Sequence, residues 1–299
     1  MYTVNSERRW VFSSSLLRIP ASWSVRPEGV KRAAEKVLCA LFSPLFNLVF
    51  PDDCRVCGVA LSGVSRIPVC ERCLKAPQPL AAEFFCVACR MPFLNRSPLD
   101  ESGRCALCRL GLSGFDAVYS FGSYEGALRK LIHLFKYDGV RPLARVFGKF
   151  LAPSIPIDDR FDIIVPMPLH WRRRWQRGFN QSALLAREIA RRLNLPLRKV
   201  VRRTRSTAAQ AGLTNAKRRA NVRGAFRIKS RVRLDGMRVL LVDDVLTTGA
   251  TAASCARVLK RAGAASVTVL ALARTDRREI LVDSAPPAAW AAAARGSVN

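Results

Sequence analysis

Acidic side chains are scarce in this 299-residue chain: 22 Asp and Glu stand against 50 Lys and Arg, a formal charge of +28. That imbalance points to an anionic partner, whether nucleic acid, a phosphorylated metabolite or a membrane surface. Glycine is sparse too, with 17 residues, which excludes a collagen-like chain. No long hydrophobic run is present. The most apolar stretch, Val37–Phe50, has 14 residues and is broken by Pro44, so it is too short to span a bilayer and is expected to be a helix packed on a neighbouring domain. A secretory core is lacking as well, because Ser13–Ser15 interrupts the only N-terminal apolar residues, Trp10–Phe12 and Leu16–Leu17. A cytoplasmic location is therefore expected. Gly-x-x-x-x-Gly-Lys is missing, so nucleoside triphosphate hydrolysis of the Walker type has no anchor. Apolar residues are not lacking. At 49% they suffice for a core in one or two domains and exclude global disorder.

Eight of the ten cysteines form four Cys-x-x-Cys pairs: Cys54/Cys57, Cys70/Cys73, Cys86/Cys89 and Cys105/Cys108, separated by 12, 12 and 15 residues. Each pair places two thiolates on one tight knuckle, and two knuckles close a tetrahedral zinc site. Sequential pairing gives Cys54, Cys57, Cys70, Cys73 and Cys86, Cys89, Cys105, Cys108; spacing alone also allows crossed pairing. Two structural zinc ions are expected. Coordinatively closed sites of this kind supply folding energy rather than zinc catalysis. Each four-thiolate zinc site carries −2, which lowers the estimate from +28 to +24. Cys39 and Cys255 lie in apolar helical surroundings and read as packing residues.

Residues 1–35 are expected to be a disordered extension, 36–53 an apolar helix, 54–113 a double zinc ribbon, 115–275 an α/β domain and 276–299 a loose tail. Within 115–275, strands are expected at Ala117–Tyr124, Phe161–Val165, Leu197–Val201, Arg238–Val242 and Ser266–Ala273. Helices are expected at Gly126–Tyr137, Ser182–Leu193 (with Asn180 as N-cap) and Gly249–Ala262. Such alternation predicts a parallel sheet flanked by helices.

The run Val239–Thr251, VLLVDDVLTTGAT, carries the chemistry. Four apolar residues make a buried strand, and Asp243 and Asp244 emerge at its carboxyl end, where open α/β sheets bind ligands. Thr247, Thr248, Gly249, Ala250 and Thr251 then turn into a helix whose N-terminal amides and hydroxyls suit a phosphate. Two carboxylates beside a phosphate cradle suit a sugar phosphate, with the acids accepting from ribose hydroxyls.

All 13 positions resemble the phosphoribosyl-diphosphate (PRPP) motif of type I phosphoribosyltransferases. Together with the cysteine knuckles, His133-x-x-Lys136-Tyr137, VPMPLH at 165–170, Arg177–Gln181 and the segment Gln210…Leu213-Thr214…Arg218-Arg219…Asn221…Phe226, the chain resembles the ComF family of competence proteins over roughly residues 45 to 275. The resemblance implies a type I phosphoribosyltransferase fold with a mobile lid behind the zinc ribbons. It also implies PRPP bound with Mg²⁺, transfer of the phosphoribosyl group to an acceptor, and a part in DNA uptake. Asp243 and Asp244 would hold the ribose. Arg174 and Arg177 would take the leaving pyrophosphate, with Gly178 admitting a close backbone approach and Lys136 reaching a phosphate. A lid at 203–223 would bring Arg205, Gln210 and Arg218 over the site. The alternative reading is a non-catalytic DNA-handling factor that uses the fold as a ligand-gated module.

Residues 170–238 hold 21 Lys and Arg against two acids, a net +19. One phosphorylated ligand accounts for a fraction of this. The surplus is either a solvated cationic surface or a track for single-stranded DNA, in which Trp171 and Trp175 would stack bases or else be buried. His170 reads as a general base or a satisfied loop histidine, and His133 falls off the apolar stripe of its helix.

Overall fold

The computed structural model describes residues 53–61, 65–93, 96, 98–111, 113–204 and 224–275. The expected extension, the apolar helix up to residue 52, Cys39, the tail, and Arg205, Gln210 and Arg218 lie outside the described residues.

Four strands, β3 (Ala117–Ser123), β4 (Ile163–Pro166), β7 (Arg238–Leu246) and β8 (Ser266–Arg274), form one all-parallel sheet in the order β3-β8-β7-β4. Pure parallel pairing demands cover on both faces, and the strands carry correspondingly continuous apolar runs, IIV in β4, VLLV in β7 and VLALA in β8. Val239, Leu240, Leu241 and Val242 of β7 are fully buried, each such side chain contributing about 1.5–3 kcal/mol relative to exposure. Alternation divides them. Val239 and Leu241 join Ile163, Val165, Val267 and Val269 in one core, while Leu240 and Val242 join Ile164, Leu270 and Leu272 in the other.

The second core is covered by three helices, α3 (Gly126–Lys136), α4 (Leu143–Leu151) and α6 (Gln181–Leu193). Leu128, Leu131, Ile132 and Phe135 of α3 are all buried, as their spacing requires. Helix α4 buries Leu143, Phe147 and Leu151, and the Phe147 ring meets Phe135 edge-on at 5.3 Å. Among the described residues, the sheet domain covers the first core with α7 (Ala250–Arg261) and with Val200, Val201, Ala225, Phe226 and Leu234. A cysteine knuckle segment with a short helix α2 (Ala106–Arg109) and a two-stranded β1 (Phe84–Phe85) and β2 (Pro92–Phe93) completes it. The other knuckle segment, with α1 (Glu71–Lys75), lies on the opposite face, where Cys54, Cys73 and Val69 enter the core of α3 and Lys130 Nζ donates to the Val56 carbonyl at 3.0 Å.

One expected strand divides, and the segments around it add detail. The strand expected at Leu197–Val201 is split: Leu197 bridges to Ile164 in parallel beyond β4, whereas β5 (Val201–Arg203) pairs antiparallel with β6 (Phe226–Ile228). This hairpin flanks residues 205–223. Within 166–181 the chain forms a helix, α5 (Trp171–Arg177), with the His170 ring accepting from the Arg172 amide at 3.3 Å. Asn180 precedes α6 but makes no side-chain cap; its Nδ2 donates instead to the Met167 carbonyl at 3.0 Å.

At the lower edge of the sheet Asp162 accepts three hydrogen bonds from Arg238, from the backbone amide at 2.7 Å and the guanidinium at 3.2 and 2.9 Å. These hold its carboxyl at about 2, well below the ordinary range. A depressed carboxylate stabilises the fold above its unfolded value and loses that effect as pH falls from about 4 to 2. Asp162→Asn is therefore expected to lower the melting temperature at pH 7 and to leave it unchanged near pH 2, read by circular dichroism across a pH series.

Candidate functional site

Strand β7 is central, so its carboxyl end opens between its neighbours and delivers Asp243 and Asp244 there. Asp243 Oδ1 accepts from Ser182 Oγ of α6 at 3.0 Å and from the Asp244 amide at 2.9 Å. Asp244 Oδ1 accepts from the Val245 amide at 2.6 Å, and its Oδ2 pairs with Lys136 Nζ at 3.1 Å. Burial, and then the neighbouring Asp244 charge, push the Asp243 carboxyl up to about 7, against the pull of the two hydrogen bonds and Lys136. A carboxyl so placed gains strongly from a cation or a hydroxyl donor brought into the site.

Both acids open onto a cavity of about 410 Å³. It is lined by Thr247, Gly249 and Thr251 of the loop, by Lys136, Tyr124 and Tyr137, and by the cations Arg173, Arg177 and Arg203. Gly249 sits at φ +77 as the residue before α7, a left-handed conformation that costs a residue with a Cβ about 1–2 kcal/mol. It accepts from the Ala253 amide at 2.8 Å, and the Thr248 hydroxyl accepts from the Ala250 amide at 3.4 Å. Thr251 and Ala252 of the first turn of α7 thus line the cavity beside Thr247 and Gly249, and a helix N-terminus so placed favours an anion.

Of the residues expected from the sequence, Asp243, Asp244, Lys136, Arg177, Thr247, Gly249 and Thr251 meet in this cavity. Thr248, Ala250, Gly178 and Arg174 belong to the flanking segments and are not among the residues that line it. Helical spacing explains the arginines: Arg173 and Arg177 are four apart on one face of α5, and Arg174 is turned about 100° away. Gly178 closes α5 at φ +72, so its lack of a side chain serves a left-handed helix cap. Arg177 is steadied by Gln181 Oε1 at 3.3 Å and stacks over Tyr137 at 5.0 Å. His170 is buried as the cap of α5, and burial first, then Arg203, lowers its pKa. His133 is exposed, with Nε2 3.0 Å from the Tyr124 hydroxyl. Arg173 was legible from the helical period once α5 was recognised. Tyr124, Ser182 and Arg203 come from three other elements and leave no local signal.

The eight cysteines assemble as sequential pairing predicts, Cys54, Cys57, Cys70, Cys73 and Cys86, Cys89, Cys105, Cys108, with the sulfurs of each set within 4.8 Å of one another. Cys57 and Cys70 sulfurs stand 3.7 Å apart, Cys89 and Cys105 sulfurs 3.8 Å. A tetrahedron with Zn–S near 2.3 Å requires about 3.8 Å. Amides of Cys70 and Cys105 donate to the sulfurs of Cys54 and Cys86, each at 3.3 Å. Hydrogen bonding from Cys89 pulls the Cys105 thiol down to about 5. The donor sets therefore fit zinc. Each ion would fix four ligands from two knuckles and contribute folding energy of about 10–16 kcal/mol.

Metal analysis of the purified chain is expected to find two zinc ions. Because the Asp243 carboxyl is raised in the folded state, the folded protein holds an extra proton between about pH 4 and 7, and stability falls as pH rises through that window. Asp243→Asn removes this dependence, so its melting temperature relative to the parent is expected to climb between pH 5 and 8.

Known proteins support the same picture. Residues 180–287 match the family described as phosphoribosyl transferase domain. DNA utilization protein YhgH of Salmonella typhi is 32% identical over 238 residues, which are 76% of this chain and 99% of that protein. Competence protein F of Haemophilus influenzae is 33% identical over 178 residues, 57% of this chain and 78% of that protein. Competence protein ComFC of Bacillus subtilis is 28% identical over 261 residues, 80% and 96% respectively. A parallel sheet of phosphoribosyltransferase type behind two four-cysteine knuckle pairs, with identity running almost the full length of such relatives, means that this chain belongs to the ComF family.

Proposed function

We propose that the protein binds PRPP together with Mg²⁺ and transfers the phosphoribosyl group to an acceptor, in the service of DNA uptake. The observation that carries this reading is the convergence on one cavity of an acidic pair, a helix-opening Thr-Gly loop and two arginines on a single helix face. The 5′-phosphate would lie on the amides of Thr247–Thr251. Asp243 and Asp244 would accept from the 2′ and 3′ hydroxyls, one of them through the water shell of Mg²⁺, an ion that keeps several waters. Mg²⁺, when bound, supplies neutralisation of the pyrophosphate charge. Transfer breaks the bond from ribose C1 to the pyrophosphate oxygen, whose electron pair departs with pyrophosphate, and an acceptor lone pair forms the new bond to C1. Arg173 and Arg177 stand where guanidinium donors can stabilise that leaving group, and Arg203 adds a third charge. Arg174, Gly178, Thr248 and Ala250 act as supports of these segments. Arg205, Gln210 and Arg218 would complete the site as a lid. Lys136, paired with Asp244 at 3.1 Å, would exchange that partner for a phosphate oxygen.

A specific observation favours a second use of the same chain. Helix α5 buries none of its residues, and it exposes Trp171 (64%) and Trp175 (85%) four residues apart beside Arg172 and Arg174. Exposed indoles interleaved with guanidinium groups suit stacking against single-stranded DNA. The names of the relatives, DNA utilization protein and competence protein, lie in the same direction. Two thiolate zinc sites suit the reducing cytoplasm in which such a protein would act.

Calorimetry with PRPP and Mg²⁺ tests the first reading. Wild type is expected to bind, with Asp243→Asn/Asp244→Asn weakening affinity at least about tenfold, about 1.4 kcal/mol; a zinc-loaded wild type that gives no heat would rule PRPP out. For DNA, log affinity is expected to fall with log salt, and charge reversal of Arg172–Arg174 to flatten the slope. A slope near zero in the parent protein would remove the DNA reading.

A further inference from the structure

The anion loop is held between two things: the cavity on one side and the second cysteine cluster on the other. A Cβ placed on Gly249 would lie 2.9 Å from Leu107 Cδ1, 3.1 Å from Met91 Cε and 3.7 Å from Phe115 Cζ. Leu107 lies between Cys105 and Cys108. Met91 follows the Cys86–Cys89 knuckle and is tied to it by the Cys86 amide, which donates to the Met91 carbonyl at 3.0 Å. Both side chains are therefore carried by the metal-binding knuckles themselves. They are buried, 3% exposed for Met91 and 7% for Leu107, in the same core as Leu246, Ala252 and Ala253 on either side of the loop. The first cluster contributes Cys54 and Cys73 to the opposite core.

We propose that Met91 and Leu107 are positioning residues for the anion loop, and that metal in the second cluster, Cys86, Cys89, Cys105 and Cys108, sets the loop's shape through them. The proposal rests on the PRPP reading for its ligand. The physical reason is rigidity. A left-handed glycine in a loop can adopt many conformations, and a fixed surface behind it keeps the cavity-lining residues Thr247, Gly249 and Thr251 in place. Four bonds to one ion make two short knuckles into such a surface. The ion would add its four bonds to the core packing that seats the segment bearing Met91 and Leu107, and so stiffen it further. The two clusters thus have different consequences: the second tunes affinity at the site, and the first stabilises the far face.

The full chain tests this by zinc content, calorimetry with PRPP and Mg²⁺, and hydrogen exchange. Met91→Ala/Leu107→Ala is expected to keep two zinc ions, weaken PRPP about tenfold and accelerate exchange at amides 246–251. Leu107→Met, which keeps the volume, is expected to behave as wild type. Leu151→Ala, a buried truncation in the opposite core, is expected to lower the melting temperature while leaving affinity within twofold. Cys108→Ser and Cys57→Ser should each lose one zinc, with affinity and exchange at 246–251 altered only in Cys108→Ser. Equal weakening by Leu151→Ala or Cys57→Ser, or unchanged exchange at 246–251 in Met91→Ala/Leu107→Ala, overturns the proposal. If the double variant does not fold, the comparison of Cys108→Ser with Cys57→Ser decides. If wild type binds no PRPP, the ligand reading fails and exchange at 246–251 alone decides the positioning role.

Discussion

Burial of β7 on both faces is the constraint from which the site follows. Val239–Val242 have no polar atom to offer a solvent boundary, so the strand must lie between neighbours and beneath cover on each side. Once it is central, the two carboxylates that follow emerge at the strand ends, and the turn after them has to climb onto the sheet as α7. The positions of the acids and of the cavity they line at the carboxyl end of the sheet are consequences of that one strand's burial.

The cysteine segments are built into this arrangement. One four-cysteine cluster enters the core beneath α3, and the other joins α7 and the β5–β6 hairpin on the opposite face. The cysteine clusters and the sheet thereby share apolar surface, and the second cluster's knuckles carry side chains, Met91 and Leu107, that lie against the loop at Gly249. Phe93 adds a further link, since the Arg274 guanidinium at the end of β8 lies 4.1 Å over its ring.

Charge is distributed by function within a strongly basic chain. At the site two acids meet four cations: Lys136 pairs with Asp244, Ser182 donates to Asp243, and Arg173, Arg177 and Arg203 line the same cavity. On the outer side of α5 the same helix presents tryptophan and arginine to solvent. One seven-residue helix serves both surfaces because residues 173 and 177 share a face that 171 and 175 do not.

Much of this was legible in the residues. Spacing named the four cysteine knuckles, because a Cys-x-x-Cys knuckle is a local structure, while the choice of sequential over crossed pairing came from the fold. The strand, acids and loop of Val239–Thr251 were equally local, and so were α3, α6 and α7, whose apolar periods survive in the fold. Other features needed the tertiary structure. Leu197–Val201 reads as one strand, yet the chain divides it between a sheet edge and a hairpin, since a short apolar run does not name its partner. Arg174 and Arg173 are indistinguishable in the string WRRRW; only the helix, capped by His170, turns one of them inward. Tyr124, Ser182 and Arg203 reach the cavity from three separate elements. The contact of Met91 and Leu107 with Gly249 joins residues more than 140 positions apart. The sequence by itself determined the ligands and the chemistry they carry, because those depend on side-chain type and short-range spacing. Which face each metal cluster covers, and what its knuckles press against, was decided only by the packing of the sheet, because those contacts are made across the chain.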